Sequence, residues 1–350
     1  MSGDETGQVS GVRRGATLGH MTTLRVLFLG GTGIISSACV RSAIEAGYDV
    51  TVLNRGATAT RPLPDDARAI VADVRDPAAV GSATDDRDFD VVLDFLSFTP
   101  DHVQPHIDRW AGRIGQYVFI SSASAYQTPP ARLPILESTP LRNPYWKYSR
   151  DKIACEDLLV AAYREDGFPA TIVRPSHTYD RTMMPIQGGW TVVERMRRGV
   201  PVVIHGDGTS LWTLTHHSDF ARAFVGLMGD PRAVGDIFHI TSDEALPWDQ
   251  ITDMVAAAAG VKSPQIVHAP SDAIAALDEE WGAGLLGDKA HSMVFDNSKI
   301  KSLVPGWRAT VPFWRGAREI VDWHDEDPQR RIVDPQVDAL MDELVESCGP

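Results

Sequence analysis

Apolar runs of strand length recur through the first half of the chain. Leu24–Leu29 (LRVLFL) is interrupted only by Arg25, and Asp49–Leu53, Ala69–Val71, Val91–Phe95, Gln116–Ile120 and Ala170–Val173 follow it. A run without strict polar alternation fits a strand covered on both faces, as in a parallel sheet. Between the first two runs, Ile34 to Ala46 reads as a helix that Gly47 ends. Strands alternating with helices predict right-handed crossovers and an α/β fold, a Rossmann-type doubly wound parallel sheet. After residue 176 the rhythm loosens. Gly188-Gly189, Pro201, Gly206 and Gly208 mark loops, and Asp219–Met228, Trp248–Ala259 and Pro312–Trp323 are predicted helices. This half is expected to form a smaller C-terminal substrate lobe over the carboxyl ends of the strands, where ligands bind in such sheets. The expected division is a disordered extension (1–20), a dinucleotide-binding Rossmann domain (21–178), a mainly substrate-binding lobe with late elements returning to the sheet (179–325), and a charged, loosely packed tail (326–350).

Composition narrows the setting. The net charge of −14 argues against a nucleic-acid partner, which calls for a basic surface. Cys39, Cys155 and Cys348 are far apart and form neither zinc spacing nor a disulfide framework, so a reducing cytoplasm is the expected location. No apolar run reaches about 18 residues, so no membrane span is expected.

The turn Gly30-Gly31-Thr32-Gly33-Ile34-Ile35-Ser36 joins the first strand to the first helix. Gly30 lets the chain turn, Gly33 lets backbone approach a pyrophosphate, and the helix N-terminus presents free N–H groups to phosphate charge. Ser36 stands where this fingerprint has a third glycine for close helix–strand packing. The second strand ends in Asn54-Arg55, without the carboxylate that would accept hydrogen bonds from the adenosine ribose of NAD. Arg55 instead suits a 2′-phosphate. Asp73, followed by Val74, is placed to bond the adenine amine. The expected cofactor is NAD or NADP, with Arg55 leaning toward NADP. Tyr148 and Lys152 lie four apart on one helix face. A nearby ammonium favours phenolate, so Tyr148 is expected to lose its proton well below roughly pH 10 and to act as a base while hydride leaves the substrate carbon.

These motifs, with Ser121-Ser122-Ala123-Ser124-Ala125-Tyr126 and Arg174-Pro175, resemble the extended short-chain dehydrogenase/reductase family of epimerases, dehydratases and reductases. The resemblance spans Leu24 to Trp323. It implies that Tyr148 is the general base or acid, that Lys152 holds the nicotinamide ribose and lowers the Tyr148 pKa, and that Ser122 hydrogen-bonds the reacting oxygen. Leu96 and Ser97 after the fourth strand, and Pro175 and His177 after the sixth, join the expected cofactor contacts. Ser124, Trp212 and His216 are the expected substrate contacts, and no metal is expected. The family's 4,6-dehydratases carry an Asp-Glu pair where this chain has Ala123 and Ser124, which argues against that dehydration. Trp212 replaces an arginine that grips the substrate diphosphate in many sugar-nucleotide members, and Arg181, Arg195, Arg197 and Arg198 are candidate substitutes. The fourth-strand sequence and Asn54-Arg55-Gly56 resemble an atypical branch that includes chloroplast stem-loop RNA-binding proteins. The leading expectation is a sugar epimerase working through a keto intermediate on a sugar, nucleoside or sugar-nucleotide. The alternatives are an NADP-dependent net reductase and a non-catalytic nucleotide- or RNA-binding protein. By family analogy the helix beginning near Pro144 would pair with its twin in a homodimer.

Overall fold

The structure, a computed structural model, describes residues 23–56 and 60–349. The expected extension (1–20) and the domain start at Met21 lie outside the described residues. The first half carries strands β1 (Arg25–Leu29), β2 (Asp49–Asn54), β3 (Arg68–Val71), β4 (Val91–Asp94), β5 (Gln116–Ile120) and β6 (Ala170–Pro175). Helices α1 (Ile34–Glu45), α2 (Pro77–Thr84), α3 (Pro100–Trp110) and α4 (Lys147–Asp166) alternate with them. The second half adds β7 (His177–Tyr179), α5 (Trp190–Arg198), β8 (Val202–His205), β9 (Leu211–Trp212), β10 (Leu214–His216) and α6 (His217–Val225). Then come β11 (Ile237–Ile240), β12 (Leu246–Pro247), α7 (Trp248–Ala258), β13 (Ile266–Ala269), α8 (Ser271–Leu277), α9 (Glu279–Gly284), a π-helical turn (Leu285–Lys289), α10 (Ser298–Leu303), α11 (Phe313–Asp325) and α12 (Pro335–Cys348).

Seven strands form one parallel sheet in the order β11-β6-β5-β4-β1-β2-β3. Val26, Phe28, Val91 and Val118 face a core shared with α1 and α6, while Leu27, Val92, Tyr117 and Phe119 face one shared with α3 and α4. Both faces are therefore dry, which is why these strands read as continuous apolar runs. The strand order reverses between β1 and β4, so their carboxyl ends open a crevice there.

Close packing at the β1–α1 turn falls on Gly31 rather than on the third fingerprint position. A Cβ on Gly31 would lie 2.6 Å from Val52 Cγ1 and 3.2 Å from Val40 Cγ2. Gly31→Ala is expected to destabilise the fold by about 1–3 kcal/mol through overpacking and to weaken dinucleotide binding. Thermal unfolding and cofactor titration check this; an unchanged Tm would show that β2 yields without cost.

Two parts of the second half differ from expectation. Residues 335–348 do not form a loose tail: α12 buries Met341 and Leu344 against the C-terminal lobe. The buried Arg195 guanidinium donates to Asp338 and Asp342 on it. The seventh strand, β11, escapes the apolar reading because its centre is His239. This histidine is fully buried, with Tyr126 Oη 3.0 Å from Nδ1 and the Asp296 carbonyl 2.7 Å from Nε2. Those partners are distant in sequence, and they make a polar side chain tolerable inside the sheet.

Candidate active site

A cleft of about 670 Å³ runs across the carboxyl edge of the sheet. At one end lies the glycine turn. Gly30 has φ +84°, and a Cβ there would meet Leu96 Cγ at 2.8 Å, so glycine is required both for conformation and for space. The Gly33 N–H donates to Ser36 Oγ at 2.9 Å, which is what the serine at the third position does. Thr32, Gly33, Ile34 and Ile35 line the cleft at the start of α1. Asn54, Arg55, Asp73, Val74 and Arg75 line the adjoining end. Asn54 Oδ1 accepts the Gly56 N–H at 2.8 Å, and Asp73 Oδ1 accepts the Arg75 N–H at 3.0 Å. Arg75, a second guanidinium beside Arg55, was missed in the sequence, although its place two residues after Asp73 was a usable signal. A tight turn in which Gly30 and Gly31 leave no room for a Cβ, a helix N-terminus and two cleft-lining arginines fit the phosphates of a dinucleotide.

The centre of the cleft is held by β5 and α4. Ser122 follows β5 and caps the 3₁₀ turn Ala123–Ala125. Its Oγ lies 2.8 Å from Ser124 Oγ, which accepts from the buried Ser149 hydroxyl at 2.7 Å. Tyr148, half-buried in the first turn of α4, turns into the cleft, with its ring against Trp146 and Phe98 at centroid distances of 5.0 and 6.4 Å. Lys152 is buried one turn on, its Nζ donating to the carbonyls of Ser97 and Ile120, each at 2.7 Å. Burial brings the Lys152 ammonium down to about 8. Ser122, Tyr148 and Lys152 thus share one wall of the cleft.

The electrostatics of Tyr148 differ from expectation. Burial raises the phenol above its usual value; contact with Ser122 pulls it down and the Asp288 charge pushes it further up. The Lys152 ammonium is spent on two carbonyls and lies 6.0 Å from the Tyr148 ring centroid, so it does not outweigh desolvation. Ser97 does not line the cleft. Its amide donates to Asp94 and its carbonyl receives Lys152, so it acts from behind Leu96.

The other half of the cleft comes from the C-terminal lobe. Met183, Trp212, Thr213, Asp288, Lys289, Met293 and Phe295 line it with Ser124, Pro175 and His177. Trp212 is 3% exposed, stacks on Trp248 at 5.4 Å, and donates from Nε1 to His177 Nδ1 at 3.1 Å. Burial, then the Lys289 charge, pushes His177 down to about 3, so it accepts as a neutral ring. Asp288, Lys289, Met293 and Phe295 carried no signal in the sequence, because the lobe returns to the site only in three dimensions. His216 does not line the cleft. Its two ring nitrogens face Ser218 Oγ at 2.7 Å and Glu319 Oε2 at 3.1 Å, tying α6 to α11, with His217 beside them. The candidate phosphate-gripping arginines are elsewhere too. Arg195 and Arg198 pair with Asp338, Arg197 pairs with Asp325, and Arg181 is not among the cleft residues.

The sequence signature of the NAD dependent epimerase/dehydratase family matches residues 26–241, well over half of the chain. The chain belongs to that family. It is an enzyme of the extended short-chain dehydrogenase/reductase type, and its cofactor is NAD or NADP. It is 27% identical over 334 residues to 2'-dehydrokanamycin reductase of Streptomyces kanamyceticus, covering 92% of this chain and 90% of that protein. It is also 27% identical over 256 residues to the chloroplast stem-loop binding protein of 41 kDa b of Arabidopsis thaliana, covering 70% and 65%. Among solved structures, dTDP-glucose 4,6-dehydratase from Bacillus anthracis in complex with NAD shares the fold, with a TM-score of 0.72 at 16% identity over 88% of this chain and 98% of that one. Among the described residues no helix is long and apolar enough to cross a membrane.

Proposed function

We propose that the enzyme is an NADP-dependent reductase of a ketone on a sugar-type substrate that is not linked to a nucleoside diphosphate. The carrying observation is the substrate half of the cleft. Among the described residues its lining contains no arginine and Lys289 is its one lysine, and Trp212 is locked between Trp248 and His177. This half has neither a glycine-rich helix N-terminus nor a guanidinium to receive a second pyrophosphate. The related epimerases and dehydratases act, by name, on UDP- or dTDP-sugars. The related 2'-dehydrokanamycin reductase, matched over nearly its whole length, carries no nucleotide in its name.

The glycine turn and the α1 N-terminus would hold the pyrophosphate, and Arg55 with Arg75 the 2′-phosphate. When bound, the reduced nicotinamide supplies hydride to the carbonyl carbon. Tyr148 donates a proton to the developing alkoxide. A buried, neutral phenol is the form that reduction requires, and the environment of Tyr148 maintains it. Ser122 donates a hydrogen bond to the same oxygen, with its own orientation set by Ser124 and Ser149. Lys152, fixed by two carbonyls, stands one helical turn away to orient the cofactor ribose.

The test is NADPH consumption with ketone-bearing sugars, compared with NADH. Substituting Arg55 and Arg75 together by Ala is expected to weaken NADPH binding at least tenfold, from the usual ~1.5–3 kcal/mol of a charge-assisted hydrogen bond, with little effect on NADH. Equal losses for both cofactors would sink the 2′-phosphate assignment. Because Tyr148 is raised, its phenol stays protonated through neutral pH, and reduction should fall in alkali, first as Lys152 loses its ammonium at about 8 and then as the phenol ionises, which a pH–rate profile of NADPH oxidation measures.

A further inference from the structure

Among the described residues Asp288 is the one carboxylate lining the substrate half of the cleft, and none of their N–H or O–H groups bonds its side chain. The fully buried carboxylates are held by the fold. Asp94 accepts the Leu96 and Ser97 amides, Asp180 pairs with Arg61, Asp219 accepts the Thr310 and Val311 amides, and Glu156 pairs with Arg174. Asp288 is half-buried and opens onto the cleft, so its carboxylate is left free to bind a ligand rather than committed to the fold.

Its position is built. The π-helical turn Leu285–Lys289 is pinned on one side by Asn143 Nδ2, which donates to the Gly287 carbonyl at 2.6 Å and to the Ser124 carbonyl at 2.9 Å. Asn143 lies just before α4, so the turn is fixed relative to Tyr148. On the other side the Lys289 carbonyl receives the Trp248 indole at 3.2 Å and the Ser210 hydroxyl at 3.3 Å, with His205 Nε2 at 2.9 Å. Gly287 packs so closely that a Cβ would lie 2.8 Å from Trp146 Cβ. The Lys289 ammonium forms no salt bridge with Asp288; it sits over the rings of Trp146 and Trp212, at 5.3 and 5.9 Å. Isolated π-turns of this kind often occur at functional sites.

We infer that Asp288 is a specificity-determining residue that receives a protonated amine of the substrate, beside the oxygen that Tyr148 protonates. The substrate class is therefore an amino sugar or aminocyclitol ketone. This rests on the reductase reading of the same cleft, but its test does not need turnover. Burial raises Asp288 to about 6, with Lys289 opposing. His177 of β7 and His205 of β8, held neutral at about 3 and about 4, add no charge, and Tyr148 of α4 faces it as a neutral phenol. Amine binding should accordingly strengthen as pH rises through about 6 and the carboxylate ionises.

The experiment is calorimetric titration of the purified protein with kanamycin, whose amines are protonated at neutral pH, and with fully N-acetylated kanamycin. Wild type should prefer the free amine, and Asp288→Asn should weaken its binding at least tenfold. Affinity for NADPH and the circular-dichroism spectrum show whether the variant is folded. Equal affinity in Asp288→Asn, or no wild-type preference for the free amine (including no binding of either), overturns the assignment. Failure of the reductase reading would show separately, as NADPH that no ketone oxidises while amine binding still depends on Asp288.

Discussion

Tyr148→Phe is expected to reduce turnover by about 10²–10⁴-fold, the usual range for a positioned proton donor, while leaving NADPH affinity within a factor of a few. Among the described residues the phenol is the one acidic hydroxyl on the cleft wall beside Ser122, and its ring remains packed on Trp146 and Phe98 after the oxygen is removed. Ser122→Ala should cost less, because it removes a hydrogen bond and not the proton. Steady-state kinetics with the cofactor affinity measured separately checks both. Unchanged turnover in Tyr148→Phe would end the catalytic reading and revive that of a binding protein with a retained fold.

Glu156→Ala is expected to have the largest effect on stability, a loss of about 3–5 kcal/mol. Glu156 and Arg174 are each 2% exposed and form a two-pronged pair, Arg174 Nε to Oε1 at 2.9 Å and Nη2 to Oε2 at 2.5 Å. Glu156 also accepts the Ser121 hydroxyl, so it ties α4 to the end of β5 beside Ser122. Removing it leaves a guanidinium buried against Tyr126 with only the Glu137 carbonyl to receive it. The double substitution Glu156→Leu with Arg174→Met removes both charges and should recover most of the loss. Denaturant melts of the three variants decide this: a single-variant loss below about 1 kcal/mol would mean that water reaches Arg174.

How far the fold was legible follows from where each signal is written. Six strands of the sheet were readable because both faces are dry and the apolar runs are local. The glycine turn was readable because its geometry is carried by consecutive residues. β11 was not, because His239 depends on Tyr126 and Asp296 far along the chain. In the site, Tyr148, Lys152 and Ser122 were legible from spacing and family resemblance. The Tyr148 shift was not, because it is set by burial and by Asp288 from a lobe about 140 residues away, not by its neighbour in the helix. Arg195, Arg197 and Arg198 looked available because nothing local shows that α12 and the end of α11 claim them.

In the proposed reading, net reduction stands ahead of epimerisation, which the sequence alone puts first. Both would use Tyr148, Lys152 and Ser122, and they differ in whether the cofactor leaves. Mass spectrometry of the small molecules released when the purified protein is denatured measures that difference directly. The account predicts no stoichiometric nicotinamide cofactor in the released fraction, together with NADP binding more tightly than NAD when each is added back. One NAD per chain, retained through purification, would contradict it and identify an epimerase with a resident cofactor.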